Sequence, residues 1–138
     1  MSASIGALLG FTAWTIALIT VVLFYRTGLV MTGKTRANSW TRGGQTWSDP
    51  GLITRMTHAH LNCVENLPLV AAVILAAQVM GQGAITDGLA CALLGLRIGQ
   101  SVTHMIAVNH WMVFIRATFF TGQILILVYW ILKLAGLV

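Results

Sequence analysis

Long apolar stretches separated by short polar ones dominate the chain. The stretch from Ala3 to Tyr25 carries no charged residue, and each of three later stretches carries only one or two. About 20 apolar residues are enough to cross the hydrocarbon core as a helix. Lipid offers no hydrogen-bond partner to the backbone, so helices are expected rather than open strands. The predicted fold class is all-α, a four-transmembrane-helix bundle in one domain, residues 1–138, with helices at roughly 3–28, 55–81, 86–108 and 113–135.

The longest polar segment, roughly residues 29–54, indicates how the bundle lies in its membrane. Five basic residues lie in or beside it: Arg26, Lys34, Arg36, Arg42 and Arg55. The connection near Asp87 contains no Lys or Arg. The positive-inside rule therefore places the polar loop, and the turn expected at 109–113, on the cytoplasmic side. We expect a multi-pass integral membrane protein, of a bacterial cytoplasmic membrane, with both termini on the outer side.

The composition excludes an ordinary soluble domain. Charged residues make up 8 % of the chain, against about 25 % in soluble proteins. The net charge of +5 does not indicate a nucleic-acid partner, because the basic residues do not cluster on a polar helix or sheet. Cys63 and Cys91 lie in apolar stretches without further ligands at metal-binding spacing, so no metal site is predicted and both are expected to be packing residues.

Polar residues recur at helical spacing within three of the four predicted helices. Ionisable groups at membrane depth are costly and are therefore candidates for function. The three polar stripes are Arg55, His58, Asn62 and Glu65 on the second helix, Arg97, Gln100, Ser101 and His104 on the third, and Arg116, Phe120 and Gln123 on the fourth. His60 and Asn66 flank the first stripe. The stripes should face each other or a neighbouring subunit, and form a funnel open to the cytoplasm.

The charges in these stripes indicate the kind of ligand. Three arginines, Arg55, Arg97 and Arg116, accompany a single acid, Glu65. An uncompensated buried charge is expensive, so the excess of arginine favours an anionic ligand. Glu65 could pair with one arginine or accept an ammonium group. A molecule with two carboxylates, one ammonium group and a thiolate would match.

Structural explanations compete with this interpretation. Arg55 and Arg116 lie near helix ends, where arginine often extends to the lipid headgroups. Arg97 and Glu65 could form an ion pair between two helices. Three neutral residues of the stripes could be hydrogen-bonding contacts between helices, namely Asn62, Gln100 and Ser101. The coincidence of three stripes at one depth favours a binding site.

Three segments carry a family resemblance. Residues 55–68, with the core Asn62-x-x-Glu65-x-x-Pro68, resemble the second-helix signature of the MAPEG superfamily, the membrane-associated proteins in eicosanoid and glutathione metabolism. Residues 97–104 and 116–123 resemble the third and fourth helices of bacterial members. The resemblance extends over the whole chain: its length, its four spans and its long first loop.

The resemblance implies a homotrimer that binds glutathione between neighbouring subunits near the cytoplasmic side. Asn62 and Glu65 would hold glutathione, Glu65 near its ammonium end, and Arg116 would stabilise the thiolate as the catalytic residue. The other implied glutathione-binding residues are Arg55 and His60 on the same polar wall, Arg97 deep in the subunit interface, and His58 and His104. His58 stands where many members of the superfamily carry Arg, and His104 where several carry Tyr. Asn66 replaces a Tyr seen in some members.

The leading hypothesis is a glutathione-dependent transferase or peroxidase that acts on lipophilic electrophiles, with glutathione as co-substrate and membrane lipid as surroundings. Arg116 would activate the thiolate, which attacks a substrate dissolved in the bilayer. One alternative is a non-catalytic, lipid-binding member of the same superfamily. A small transporter with Glu65 as proton-coupled acid is another. Compact exporters typically carry that acid in the first span, and Ala3 to Tyr25 contains none.

Overall fold

The computed structural model describes residues 1–41 and 43–138, so Arg42 of the basic loop lies outside the described residues. The chain forms four long helices: α1 (Ala3–Met31), α2 (Gly51–Val79), α3 (Ala84–Ile106) and α4 (His110–Leu134). A short 3₁₀ helix, Ala37–Trp40, lies between α1 and α2. All four long helices are long and apolar enough to cross a membrane. The predicted all-α bundle of four membrane-spanning helices is therefore confirmed.

Two helices begin earlier than the hydrophobic pattern predicts. Helix α2 starts at Gly51, directly after Pro50 and four residues before the predicted start at roughly residue 55. Helix α4 starts at His110, because the side chain of Asn109 accepts a hydrogen bond from the backbone N–H of Met112 at 2.9 Å. Such a cap satisfies one of the free N–H groups of a first helical turn. Most of the expected turn at 109–113 is therefore helical.

The packing of the helices is uneven. Helices α1, α2 and α3 contact one another along much of their length, whereas α4 packs mainly on α3 and touches α2 only sparsely. The core between them contains Phe11, Ile74, Leu93 and Trp130, all fully buried. Cys63 packs in this core as predicted. Cys91 faces outward, so its predicted packing role is wrong within a single chain.

A polar cluster joins three helices at the end of the bundle that carries the termini. Asp87 on α3 accepts hydrogen bonds from the backbone N–H of Ser4 at 2.8 Å and from its hydroxyl at 2.7 Å. The amide of Gln78 on α2 donates to the same hydroxyl at 3.1 Å. These bonds fix the start of α1 against the connection between α2 and α3.

The opposite end is organised by the loop between α1 and α2. Arg26 on α1 forms an ion pair with Asp49, with 2.6 Å between Nη2 and Oδ2. The indole of Trp40 donates to the other carboxylate oxygen at 2.9 Å, and the guanidinium of Arg26 lies 5.1 Å from the Trp40 ring. The pair between Arg26 and Asp49 is the sole ion pair among residues 1–41 and 43–138. It anchors the loop to the end of α1, next to the level at which α2 and α4 begin.

Candidate functional site

A cleft opens between α2, α3 and the first half of α4. The buried residues of α4 all lie in its second half: Gln123, Leu127 and Trp130. The first half therefore lies apart from α2 and leaves a cavity of about 410 Å³. Its polar lining consists of His58, Asn62, Glu65, Gln100, His104 and Arg116. Apolar side chains, among them Leu61 and Phe120, line the rest.

The cleft collects residues from all three predicted stripes. Of the eight residues expected to bind glutathione or activate it, the structure brings five together here: His58, Asn62, Glu65, His104 and Arg116. The expectation that the stripes face one another is correct for these positions, because their helices meet at that end. Their roles toward a ligand stay predictions.

Arg55 and His60 do not line the cleft. Arg55 Nε donates to the backbone carbonyl of Met105 at 2.7 Å. It therefore satisfies a carbonyl of the last turn of α3, where a positive charge is favoured. His60 Nδ1 lies 3.0 Å from the carbonyl of Thr15 on α1. His60 follows His58 by two residues, about 200° around the helix, so it faces away from the cleft.

Arg97 also lies elsewhere than expected. Its side chain is 1 % exposed and is enclosed by α1, α2 and α3 of the same chain, so it cannot lie in a subunit interface. Its Nη1 donates to Oδ1 of Asn62 at 2.6 Å, and its guanidinium lies 5.0 Å from the ring of Phe11. It forms no ion pair with Glu65, and its Nε has no partner among the described residues. The reason is the face on which it lies: Arg97 is turned toward α1, whereas Gln100 and His104 are turned toward the cleft.

Arg97 nevertheless shapes the cleft through Asn62. A guanidinium only donates hydrogen bonds, so the atom of Asn62 that it contacts must be the amide oxygen. The amide nitrogen of Asn62 is left for the cleft. A buried cation thereby makes Asn62 a donor toward any ligand there.

Arg116 and His104 form a direct pair in the wall of the cleft. Arg116 Nη1 donates to His104 Nδ1 at 2.7 Å. Because the guanidinium cannot accept, His104 must accept at Nδ1, and its neutral ring carries the proton on Nε2. The ring of His58 lies edge-on to it, with 6.1 Å between the centroids. Arg116 is thus held in one direction by a residue of the neighbouring helix.

Gln100 and Gln123 form a second pair; both belong to the predicted stripes, although neither was predicted to bind the ligand. Gln123 is fully buried between α3 and α4, and its Nε2 donates to Oε1 of Gln100 at 2.9 Å. The same nitrogen also donates to the carbonyl of Phe119 at 3.0 Å. The sequence placed Gln123 on the stripe of the fourth helix. Only the structure shows that it touches a cleft residue rather than the cleft itself.

A sequence model described as the MAPEG family matches residues 4–136 of the 138. The chain belongs to the MAPEG family. Comparison with curated proteins and with solved structures gave no match. The family comprises membrane proteins of eicosanoid and glutathione metabolism, and it contains glutathione transferases and peroxidases as well as members that are not enzymes.

The second-helix signature of this MAPEG protein has two distinct parts in the fold. Asn62 and Glu65 line the cleft. Pro68, one turn further along α2, is exposed on the outside of the bundle. A proline within a helix has no N–H to donate to the preceding turn, so the carbonyl of Val64, next to Glu65, lacks its helical hydrogen bond. Among the described residues of this MAPEG chain, no three His, Cys, Asp or Glu side chains are grouped to hold a metal ion.

Proposed function

We propose that this MAPEG protein binds glutathione in the cleft and uses it as co-substrate in a transferase or peroxidase reaction on lipophilic electrophiles. The observation that carries the proposal is the position of Arg116. It is a cation fixed by His104 in the wall of a cleft that also contains one acid, Glu65.

The groups in the cleft complement those of glutathione. The amide nitrogen of Asn62 can donate to a carboxylate, which leaves Arg116 for the thiolate. The carboxylate of Glu65 forms no ion pair with a described residue, and it is available to the ammonium group. Leu61 and Phe120 give the cleft an apolar side for a lipophilic second substrate.

The proposed reaction begins with the thiol of glutathione. A free thiol has a pKa of about 8.5 and is mostly protonated at neutral pH. A neighbouring guanidinium favours the thiolate, and the thiol proton is released to solvent. The thiolate then forms a bond to an electrophilic carbon and displaces its leaving group. With a hydroperoxide, it attacks the terminal oxygen: the O–O bond breaks, the alkoxide leaves and takes a proton from solvent, and glutathione sulfenic acid forms. A second glutathione then reduces the sulfenic acid to the disulfide and water.

Assembly and orientation belong to the same proposal. The cleft is open where α4 lies apart from α2, and a neighbouring subunit of a homotrimer would close that side. The cleft lies at the end of the bundle nearest the basic loop, so the positive-inside rule opens it to the cytoplasm. Glutathione would then reach it from the aqueous side of a bacterial cytoplasmic membrane and the electrophile from lipid.

Titration of the detergent-purified protein with glutathione tests the proposal. Thiolate absorbance in the ultraviolet should rise and saturate near neutral pH, and Arg116→Ala should lose this signal. Arg116→Lys is the matched control, because it keeps the charge but not the planar geometry, and should retain part of the signal. Absence of both thiolate signal and calorimetric binding in the wild type would refute the proposal and favour a non-catalytic lipid-binding member.

A further inference from the structure

We infer that Gln123 is a positioning residue: it fixes the side-chain amide of Gln100 so that the nitrogen faces the cleft and donates to a carboxylate of the ligand. Gln123 does not line the cleft, but it is fully buried directly behind Gln100. The inference rests on the proposed function in naming glutathione as the carboxylate-bearing ligand.

The orientation of both amides follows from one backbone group. The carbonyl of Phe119 can only accept, so the side-chain atom of Gln123 that lies 3.0 Å from it must be the nitrogen. This nitrogen also lies 2.9 Å from Gln100, so the nearer atom of Gln100 must be its oxygen. Reversing either amide would place two acceptors or two donors against each other. The nitrogen of Gln100 is therefore the atom left for the cleft.

The buried amide of Gln123 keeps one orientation even though that orientation leaves its oxygen without a partner among the described residues. The oxygen of Gln123 is buried and has no partner among the described residues. A buried polar atom without a partner is destabilising. Rotating the amide would not remove this cost, because it would also bring an oxygen against the carbonyl of Phe119. The two glutamines thus have a single favourable arrangement.

Two buried residues consequently give the cleft the same polarity from different sides. Arg97 occupies the oxygen of Asn62, and Gln123 occupies the oxygen of Gln100. The two amides lining the cleft therefore both present N–H groups. In each amide, the bond from the residue behind it fixes the orientation in which the nitrogen, a donor only, is directed to the cleft. Such a wall favours a carboxylate over its neutral ester.

The experiment compares two probes, glutathione and its diethyl ester, by calorimetry on the detergent-purified protein. Gln123→Met removes the donor at nearly constant volume and lets the amide of Gln100 rotate. We expect glutathione to bind about fivefold more weakly, in line with the partial loss of one hydrogen bond to a charged group. Binding of the diethyl ester should not change. Gln78→Met is the control. It removes a hydrogen bond between an amide and the hydroxyl of Ser4 on another helix, at the opposite end of the bundle. Binding of either probe should not change.

A second variant makes the test independent of the packing around position 123. Gln100→Met should weaken the binding of glutathione by at least as much as Gln123→Met does. The double variant should be no worse than Gln100→Met alone, since the two residues act as one unit. Equal weakening of both probes, or additive losses, would mean that Gln123 merely packs α4 against α3, and would overturn the inference.

The failure of the proposed function gives a different result. If the wild type does not bind glutathione, the same variants are measured with oleate and methyl oleate in mixed micelles. A preference for oleate that is lost in Gln123→Met would support the role of Gln123 and reject glutathione as the ligand. If the wild type prefers neither glutathione nor oleate over the corresponding ester, both the role of Gln123 and the proposed function are overturned.

Discussion

Arg116 on α4 donates to Nδ1 of His104 on α3 at 2.7 Å, and this bond joins two helices across the wall of the cleft. Both side chains are half-buried, so solvent does not replace the bond easily. Without it, the guanidinium of Arg116 could extend along its own helix toward the headgroups. The direction of the cation in the cleft therefore depends on His104.

Replacing His104 by Phe should lower glutathione thiolate formation about tenfold while leaving the fold intact. Phenylalanine keeps a ring of similar size but cannot accept from Arg116, and a hydrogen bond to a charged group is worth roughly 1.5–3 kcal/mol. Thiolate absorbance at saturating glutathione measures the effect. His110→Phe, at the exposed start of α4, should leave the signal unchanged. A wild-type signal in His104→Phe would show that Arg116 needs no partner.

Asn62→Ala and Asn62→Asp should separate stability from ligand binding. The alanine removes the acceptor of the buried Arg97, and should lower the free energy of unfolding by about 3 kcal/mol. The aspartate can pair with Arg97, so its thermal unfolding temperature should stay well above that of the alanine variant. Its second oxygen would face the cleft, and glutathione should bind at least about tenfold more weakly. The control is Asn66→Ala. The amide of Asn66 donates only to a backbone carbonyl of α2 itself, so this variant should lower stability less than Asn62→Ala does.

Asp49→Ala should release the loop between α1 and α2. The carboxylate of Asp49 accepts from both Arg26 and Trp40, and its side chain is 2 % exposed. Loss of these bonds should raise the rate of trypsin cleavage at Lys34 or Arg36 about tenfold, because local opening governs proteolysis. Gel electrophoresis of timed digests measures the rate. Unchanged digestion would mean that the loop is held by its apolar contacts alone.

Asp87→Ala should destabilise the end of the bundle that carries the termini. It removes the acceptor for two hydrogen bonds from Ser4. Hydrogen exchange at the start of α1 should become faster and thermal unfolding should occur at a lower temperature, with Asp87→Asn intermediate because it keeps one oxygen. Glutathione binding should not change, since the cleft lies at the other end. A change in binding would show that the two ends are coupled.

The sequence was sufficient for the four spans and for most of the cleft. Apolar length alone predicts a helix in lipid, and residues spaced by three or four share a helix face. His58, Asn62 and Glu65 therefore reach one cleft, as expected. The starts of α2 and α4 were placed late, because Gly51 and His110 begin helices in polar segments that hydropathy does not mark.

The residues that were misplaced share a physical cause. A helix face meets different neighbours along its length, and the sequence does not say which. His60 and Arg97 turn toward α1, which carries no polar stripe and so gave no hint of a partner. Arg55 bonds to a backbone carbonyl, which no side-chain pattern records. Gln123 belongs to the predicted stripe of the fourth helix, but helical spacing does not show that it lies behind Gln100 rather than in the cleft.

The unequal lengths of the helices determine the bilayer thickness that this protein matches. Helix α3 has 23 residues against 29 in α1 and α2. Its ionisable ends, Asp87 and His104, are separated by about 26 Å of helix rise, slightly less than a typical hydrocarbon core of about 30 Å. Thicker membranes would increase this mismatch, draw one of the two side chains deeper into hydrocarbon, and strain the wall that holds Arg116. In vesicles of increasing acyl-chain length, the protein should therefore lose its cleft geometry before it loses its fold.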